Sequence, residues 1–267
     1  MANPQKIGGR PAQDYDKTGE GNYEVQLVKP YDKEERKEPQ VERMFNRLAP
    51  TYDKLNHTLS LGIDRWWRNS AIDSLKPFKP KQILDIATGT GDFAILAARR
   101  LQPERVIGAD ISEEMMEVAR RKANQKGLDK IISFKRENCM KLSFADNTFD
   151  AVTIAYGARN FEDLGQGLRE MLRVIKKGGH LLLVELAAPK SAPMKQLFWL
   201  YSHIVIPFLG WLFSRDTKAY RYLTDSVHAF PQGEVMEQVL RHTGFQQVQW
   251  KRYTFGICTM YLAQKGN

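Results

Sequence analysis

A turn with two glycines follows a short apolar run and is the clearest chemical feature of the sequence. Gly89 and Gly91 come shortly after the run that begins at Ile83. Because they lack a Cβ atom, they let the backbone turn sharply and a ligand approach it closely. The helix predicted to begin after Gly91 presents N–H groups without internal partners, which favour an electronegative ligand group. Asp110 ends the next apolar run, where an acidic side chain can accept both hydroxyl hydrogens of a ribose. The pattern predicts a site for a nucleoside-containing ligand.

The glycine spacing alone leaves the identity of this ligand open. Gly89-x-Gly91-x-x-Ala94 also fits the loose pattern of a dinucleotide site, and both glycines could simply close a tight turn. Asp85 favours S-adenosylmethionine, because a carboxylate just before the turn can face the cationic amino acid end of that ligand. We therefore expect S-adenosylmethionine rather than a nicotinamide cofactor.

Alternating strands and helices are predicted to position these residues. Strands are predicted over 82–86, up to Asp110, and over 131–136, 149–155 and 180–186. This alternation is typical of an α/β doubly wound, mostly parallel sheet, in which ligands lie beyond the carboxyl ends of the strands. The residues predicted to meet at that edge are Asp85, Asp110, Asn138 and 155–159.

Two terminal strands, 245–251 and 254–264, are separated by so short a link that they must form an antiparallel hairpin. A sheet that closes in this way favours a methyltransferase over a dehydrogenase.

Three segments lie outside this alternation. Residues 1–39 are charged and poor in apolar side chains, so we expect a flexible arm. Residues 40–80 are predicted to form a helical cap on a methyltransferase domain that covers 40–267. Residues 189–223 are almost wholly apolar between 194 and 213. Pro207 breaks this run, so we expect no membrane-spanning helix. A lid of two short helices is predicted instead, with an ordinary helical insertion as the alternative.

The overall composition narrows the class of protein. A formal net charge of +9 over 267 residues is compatible with nucleic acid, an anionic membrane surface or a basic soluble protein. No nucleic-acid-binding motif is present, so no nucleic acid partner is expected. Cys139 and Cys258 make neither a disulfide framework nor a metal site and indicate a reducing cytoplasm. No secretory signal is predicted at the amino terminus.

Several motifs match those of one known family, in order along the chain. They are Tyr52-Asp-Lys-Leu-Asn56, Trp66-Trp67, Gly157-Ala-Arg-Asn160, Arg173-Val-Ile-Lys-Lys-Gly-Gly179 and Tyr220-Arg-Tyr-Leu223. On these residues the chain resembles the UbiE/COQ5 family of quinone-ring C-methyltransferases from Val41 to its end. Asp64 stands where that family usually has a histidine, and Ala155 where it often has a serine.

The resemblance implies a Rossmann-like, class I S-adenosylmethionine-dependent methyltransferase fold with seven strands. It also implies that Thr90 and Asp110 contact the cofactor, and that Asn138 and Cys139 lie near its adenine. The implied substrate is a polyprenyl quinol, most simply demethylmenaquinol. The alternatives are a polyprenyl benzoquinol of ubiquinone synthesis and another small lipid-like molecule. A non-enzymatic nucleoside-binding or RNA-associated protein is the competing class.

Methylation of a quinol ring carbon calls for loss of a phenolic proton, which makes the adjacent carbon electron-rich. Arg159 is expected to stabilise the phenolate or to orient a water that takes the proton, since arginine itself stays protonated. Tyr156 or Asn160 is expected beside it, and His203 in the lid is the candidate base. The apolar lid suits a polyprenyl tail, and the positive charge suits a peripheral position on the inner face of the membrane. The sequence also allows a homodimer.

Overall fold

The computed structural model describes residues 23–205 and 217–267, apart from the side chains of Leu55, His57, His203 and Thr217. One sheet organises these residues. Its strands are β1 (Gln82–Ile86), β2 (Arg105–Asp110), β3 (Ile132–Arg136), β4 (Phe149–Ala155), β5 (Ile175–Leu186), β6 (Phe245–Tyr253) and β7 (Cys258–Lys265). They lie side by side in the order β3-β2-β1-β4-β5-β7-β6.

The sheet is parallel from β3 to β5 and antiparallel at the edge formed by β7 and β6. This arrangement confirms the predicted mostly parallel, seven-stranded sheet with a carboxyl-terminal hairpin. β1 has β2 on one side and β4 on the other, so the direction of winding reverses between β1 and β4. A crevice forms beyond the carboxyl ends of strands at such a point, and ligands of doubly wound sheets bind there.

Helices cover both faces of the sheet, which is why the central strands are continuously apolar. Leu181, Leu182 and Leu183 of β5 are fully buried. The helices are α1 (Glu24–Leu27), α2 (Lys37–Leu48), α3 (Tyr52–Leu59), α4 (Ile63–Asp73), α5 (Asp92–Leu101), α6 (Glu113–Gln125), α7 (Leu164–Val174), α8 (Met194–Leu200), α9 (Thr217–Ala229) and α10 (Glu234–Thr243). A π-helical turn, Tyr201–Val205, follows α8, and short 3-10 turns cover Lys76–Phe78, Ala158–Asn160 and Thr254–Gly256.

Gly178 and Gly179 lie inside β5, although the sequence predicted that they end the preceding helix and that the strand begins at residue 180. The reason is local packing, because α7 already ends at Val174 and Ile175 pairs with Phe149. A Cβ on Gly179 would stand 2.8 Å from the Asp150 carbonyl oxygen. The strand therefore passes a point where only glycine fits.

The amino-terminal segment is ordered further than predicted. Residues 1–22 lie outside the described part, but residues 23–39 pack on the domain. Val25 of α1 is fully buried, and so is the side chain of Lys37 at the start of α2. The Lys37 ammonium donates to the carbonyl oxygens of Val25 (2.5 Å) and Arg159 (2.9 Å). The prediction of a flexible arm is therefore wrong for residues 23–39. The buried Lys37, which the sequence suggests is solvated, anchors this segment through its two hydrogen bonds.

The cap joins two segments that are distant in sequence. Apolar side chains of α2 (Val41, Met44 and Leu48) pack against Ala219 and Tyr222 of α9. The second helix of the predicted lid thus contributes to the cap core and continues to Ala229, beyond the predicted end at 223. Residues 206–216, which belong to the predicted lid, lie outside the described part. Among the described helices, none has the length and apolar character needed to cross a membrane.

Candidate active site

The turn between β1 and α5 presents one open backbone position and one fixed carboxylate. Gly89 is left-handed, with φ of 53°, and no atom lies within 4 Å of the place where a Cβ would stand. Its N–H donates to Asp110 Oδ2 (2.8 Å), while the N–H of Ser112 donates to Asp110 Oδ1 (2.9 Å). Burial raises the pKa of Asp110, and these donors counteract that effect. The carboxylate at the tip of β2 still has lone pairs for further donors.

Asp85 lies beneath this turn, where it holds β1, the turn and β4 together. Its Oδ2 accepts from the Thr88 hydroxyl and its Oδ1 from the Thr153 hydroxyl, both at 2.6 Å. The side chain is 1% exposed. Burial raises its pKa to about 6, although both hydroxyls act to lower it. Its oxygens thus accept from protein hydroxyls and support the turn from below, and the contact of Asp85 with a cationic ligand group stays a prediction.

Thr90 joins the turn to the surrounding helices. The Thr90 hydroxyl donates to Asp53 Oδ1 of α3 (2.5 Å), and Lys122 of α6 bonds to Asp53 Oδ2 (2.6 Å) and to Asp92. The Thr90 hydroxyl is thus engaged within the protein, and the contact of Thr90 with the cofactor stays a prediction. Through Asp53, Thr90 ties the cap to the glycine turn.

Gly91 serves packing between helices. It has φ of 80°, and a Cβ there would stand 2.8 Å from the Ala119 Cβ and 3.2 Å from the ring of Phe134. The second glycine of the pattern therefore allows α5 and α6 to approach closely, while the first leaves open space at the turn.

A cleft of about 760 Å³ opens above the turn, beyond the ends of β1, β2 and β4; we call it the first cleft. The residues in its wall that were predicted to bind a ligand are Gly89, Asp110, Asn138 and Cys139. Asn138 is oriented by two bonds, since its Oδ1 accepts from the N–H of Met140 (2.9 Å) and its Nδ2 donates to Glu38 (2.7 Å). Burial raises the pKa of the Cys139 thiol, so it forms a neutral part of the wall.

A second cleft of about 820 Å³ adjoins the first. Tyr52 and Tyr156 belong to the walls of both clefts, so these two residues lie at the boundary between them. Most of the wall area of the second cleft is apolar, from side chains that include Leu59, Trp67, Leu186, Phe198, Leu223, Val227 and Ile257, and its polar side chains include Asn56, Asp64, Arg68 and Arg159. A large apolar molecule in the second cleft would thus lie beside whatever occupies the first.

Arg159 is the buried cation of the second cleft. Its Nη1 lies 2.5 Å from Glu185 Oε1 and donates to the Tyr156 carbonyl oxygen (2.5 Å). The backbone N–H of Arg159 donates to Glu185 Oε2 (3.3 Å). The side chains of Arg159 and Glu185 are only 7% and 1% exposed. Among the described residues, Arg159 Nε is buried and finds no hydrogen-bond partner. Glu185 and the Tyr156 carbonyl therefore hold the guanidinium in place, with its buried Nε–H left over.

Tyr156 occupies the boundary between the clefts in a strained backbone conformation, with φ of 60°. The Arg68 guanidinium lies 5.3 Å from the centre of its ring, and its hydroxyl lies 4.0 Å from Cys258 Sγ. Burial raises the pKa of Tyr156 well above its usual value. Its phenol is consequently neutral and can donate a hydrogen bond, but it cannot serve as a base near neutral pH.

Asn160 lies in the wall of the first cleft, next to the buried pair of Arg159 and Glu185. Its Oδ1 accepts from the Tyr222 hydroxyl (3.0 Å), which connects it to α9. Burial raises the pKa of Tyr222, so this hydroxyl remains a donor. Asn160 is thereby oriented by the cap.

Asp64 supplies a carboxylate to the second cleft. Its Oδ1 accepts from the Ser60 hydroxyl (2.6 Å), and its Oδ2 lies 3.2 Å from Arg68 Nη1. Asp64 is the carboxylate that the described residues place in the wall of this cleft. In the sequence Asp64 is only a departure from a family pattern, and no motif there indicates a role for it.

Two further points concern the candidate base and metal ligation. The side chain of His203 lies outside the described part, so its role as a base stays a prediction. No group of three or more potential metal ligands occurs within the residues that the structure describes.

Sequence reasoning missed four residues that shape the site: Lys37, Asp64, Glu185 and Tyr222. A signal existed for Glu185, because a lone carboxylate at the end of a buried strand needs a cationic partner. Lys37 gave no such signal. Burial, followed by the charge of Arg159, lowers its pKa to about 7, but its burial results only from tertiary packing.

The similarities in sequence to known proteins all point to one family. The sequence profile of the ubiE/COQ5 methyltransferase family matches residues 33–265. A demethylmenaquinone methyltransferase of Bacteroides fragilis is 61% identical over 244 residues, which make up 91% of this chain and 100% of that protein. A demethylmenaquinone methyltransferase of Porphyromonas gingivalis is 43% identical over 239 residues, covering 89% of this chain and 98% of that protein.

Solved structures agree on the fold. A SAM-dependent methyltransferase of Thermotoga maritima superposes with a TM-score of 0.60 at 17% sequence identity, over 84% of this chain and 99% of that one. The sheet therefore has the class I methyltransferase fold.

Proposed function

The chain belongs to the ubiE/COQ5 methyltransferase family, and from this membership we propose that it methylates a ring carbon of demethylmenaquinol with S-adenosylmethionine as the donor. The chain is a methyltransferase by family and by fold. Its relatives from Bacteroides fragilis and Porphyromonas gingivalis bear the name demethylmenaquinone methyltransferase and are matched over nearly their whole length. These names favour the menaquinone ring over the ubiquinone ring.

The observation that carries the proposal is the pair of adjoining clefts. One has a glycine turn and a fixed carboxylate, as a nucleoside requires, and the other has a largely apolar wall, as a polyprenyl quinol requires. Tyr52 and Tyr156 belong to both walls. Two ligands bound there would meet at these residues. Holding two reactants in alignment can lower the barrier to reaction by up to about 7–11 kcal/mol.

The described residues fit S-adenosylmethionine in the first cleft. The open position above Gly89 allows a ligand to approach the backbone, and Asp110 retains lone pairs for ribose hydroxyls. Asn138 and Cys139 form the part of the wall that we assign to the adenine. When bound, S-adenosylmethionine would supply an electrophilic methyl group on a sulfonium.

Arg159 has the properties needed to bind a phenolate oxygen. A quinol hydroxyl is about as weak an acid as tyrosine, with a pKa of about 10, so its anion must be stabilised by a charge. Arg159 lies in the wall of the second cleft with a buried Nε–H that has no partner among the described residues. We assign this donor to the quinol oxygen. Glu185 acts through Arg159 as a positioning residue.

We assign the role of proton acceptor to Asp64. Each turnover releases one proton when a methyl group replaces the ring hydrogen, and general bases commonly take such protons. Asp64 is a carboxylate in the same cleft as Arg159, and Ser60 and Arg68 hold it in place. Tyr156 would donate a hydrogen bond and exclude water, because burial keeps its phenol protonated.

Methyl transfer from labelled S-adenosylmethionine tests the proposal. The purified protein is incubated with reduced demethylmenaquinone, with a reduced 2-polyprenyl-6-methoxybenzoquinone, or with neither. We expect label in menaquinol, with the benzoquinol much less reactive. The Asp110→Asn variant should raise the KM for S-adenosylmethionine, and Asp64→Asn should lower kcat. Absence of label from both quinols would refute the function.

The proposal also places the protein in the cytoplasm at the inner face of the membrane, because a polyprenyl quinol resides in the bilayer. A nucleic-acid-binding protein would instead retain RNA during purification and transfer no methyl group. The same preparation therefore separates the two classes.

A further inference from the structure

The structure has an unusual concentration of exposed apolar side chains. In the described part of the chain, ten large apolar residues are at least 39% exposed. All but Leu27 and Phe78 lie in three short segments; they are Leu61, Ile63, Trp66, Leu197, Trp199, Leu200, Ile204 and Phe255. In α8 no residue is buried, although its sequence is mostly apolar. Isolated exposed apolar residues are ordinary, but such a concentration marks an interaction surface.

The three segments, 59–68, 190–205 and 251–257, surround the second cleft. Each contributes side chains to its wall, for example Leu59, Phe198 and Ile257. They also contact one another. The Tyr201 hydroxyl donates to the Leu59 carbonyl oxygen, and Trp67 Nε1 donates to Thr254 Oγ1 (2.8 Å). The exposed apolar residues thus form a rim around the apolar cleft, which we call the apolar rim.

The charges of the apolar rim have one sign. The exposed ionisable residues of the three segments are Arg65, Lys190, Lys195, Lys251 and Arg252, and their one acidic residue, Asp64, is buried. Lys190 and Arg252 also line, with Phe255, a small separate pocket of about 380 Å³. Cations beside exposed aromatic residues are typical of a surface that rests on anionic lipid headgroups.

We propose that the apolar rim inserts into the surface of an anionic bilayer, so that the second cleft opens directly to the lipid. This inference rests on the proposed function, since a polyprenyl quinol would then reach the cleft without crossing water. A second copy of the chain is a poorer occupant, because its own rim would bring cations against cations. An acidic protein partner would satisfy the charges but would not require the opening of an apolar cleft at the centre of the surface.

Vesicle flotation tests the inference without either substrate. The protein is mixed with phosphatidylcholine vesicles with and without phosphatidylglycerol, at low and high salt. We expect binding that needs the anionic lipid and weakens with salt. The Trp199→Ser/Phe255→Ser variant should bind more than about tenfold more weakly, because both aromatic side chains leave water on insertion. Leu27→Ser, which alters an equally exposed residue away from the rim, should bind as the unchanged protein does.

The charges are tested separately. Lys195→Ala should weaken binding about fivefold, which corresponds to about 1 kcal/mol for one cation near the surface. Lys130 is exposed in the loop between α6 and β3, outside the three segments of the apolar rim. Lys130→Ala should therefore have no effect on vesicle binding. Methyl transfer to a quinol with a short, water-soluble tail should be unchanged in all these variants, which also shows that they are folded.

Two results would overturn the inference. One is vesicle binding that is absent, or equal in the rim and control variants. The other is a concentration-dependent dimer that the double variant disperses, which would make the rim an interface between copies. Vesicle binding with no methyl transfer to any quinol would contradict the proposed function and leave the docking surface intact.

Discussion

Replacing Glu185 by glutamine should destabilise the fold far more than an ordinary surface change. Glu185 Oε1 lies 2.5 Å from Arg159 Nη1, and the two side chains are 1% and 7% exposed. Glutamine keeps the shape but removes the charge, so the guanidinium stays buried without its counter-ion. Breaking a buried ion pair in this way costs about 3–5 kcal/mol. Because glutamine retains one acceptor oxygen for the N–H of Leu186, we expect the lower end, about 3 kcal/mol.

Urea unfolding measures this cost as a change in the midpoint at unchanged slope. The matched control is Glu117→Gln, which removes a carboxylate 59% exposed and paired with Arg120 at 2.9 Å. An exposed pair contributes only about 0–1 kcal/mol. A loss for Glu185→Gln that is no larger than for Glu117→Gln would refute the description of a tightly coupled buried pair.

A double variant separates stability from catalysis. Arg159→Met with Glu185→Leu removes both charges and refills the space with apolar atoms, a change that is often neutral or stabilising. Because the backbone N–H groups of Arg159 and Leu186 lose the Glu185 oxygens that accept from them, we expect the unfolding free energy to fall by about 1–3 kcal/mol. Methyl transfer should fall about 10²–10³-fold, as when one preorganised donor to an anion is removed. A stable and fully active double variant would show that Arg159 is not the phenolate partner.

The remaining predictions concern the turn and the boundary between the clefts. Burial raises the folded-state pKa of Asp85 to about 6, so its contribution to stability is present below the unfolded pKa near 4 and is lost as the pH rises through 6. Relative to Asp85→Asn, urea unfolding should show the protein losing about 3 kcal/mol between those pH values. A difference between the two proteins that does not change with pH would contradict the burial of Asp85. Gly91→Ala should destabilise by about 1–3 kcal/mol, because its φ is 80° and the new Cβ would stand 2.8 Å from that of Ala119; Gly127→Ala, with φ of 66° but open space, is the control for strain alone. Tyr156→Phe should leave the pH profile of kcat unchanged, because its phenol stays protonated, and a lost ionisation in that profile would show that Tyr156 acts as a base.

The fold could be predicted because its signals are local. Strand and helix periods, the glycine turn and the short link before β7 each depend on a few consecutive residues. The same holds for Gly89, Asp110, Asn138 and Cys139, which follow directly on the strands that place them in the first cleft. Because parallel strands end at the same edge of the sheet, the meeting of these residues follows from the strand pattern alone.

The contacts that the sequence did not indicate have a common cause, which is competition among partners distant in sequence. Thr153, 68 residues after Asp85, supplies a hydroxyl to its carboxylate. Asp53 in α3 accepts from the Thr90 hydroxyl. Lys37 was assigned to a mobile arm, yet two carbonyl oxygens hold it in the core. No period or spacing in the sequence indicates which of several polar groups will win such a contact.

The position of Tyr52 and Tyr156 in the walls of both clefts has a thermodynamic consequence. If an occupant of one cleft shifts either ring, the shape offered to the other occupant changes, and the two affinities become linked. Linkage is reciprocal, so donor and acceptor must alter each other's dissociation constant by the same factor. Titrating either ligand in the presence of a non-reacting form of the other would measure that factor from both directions.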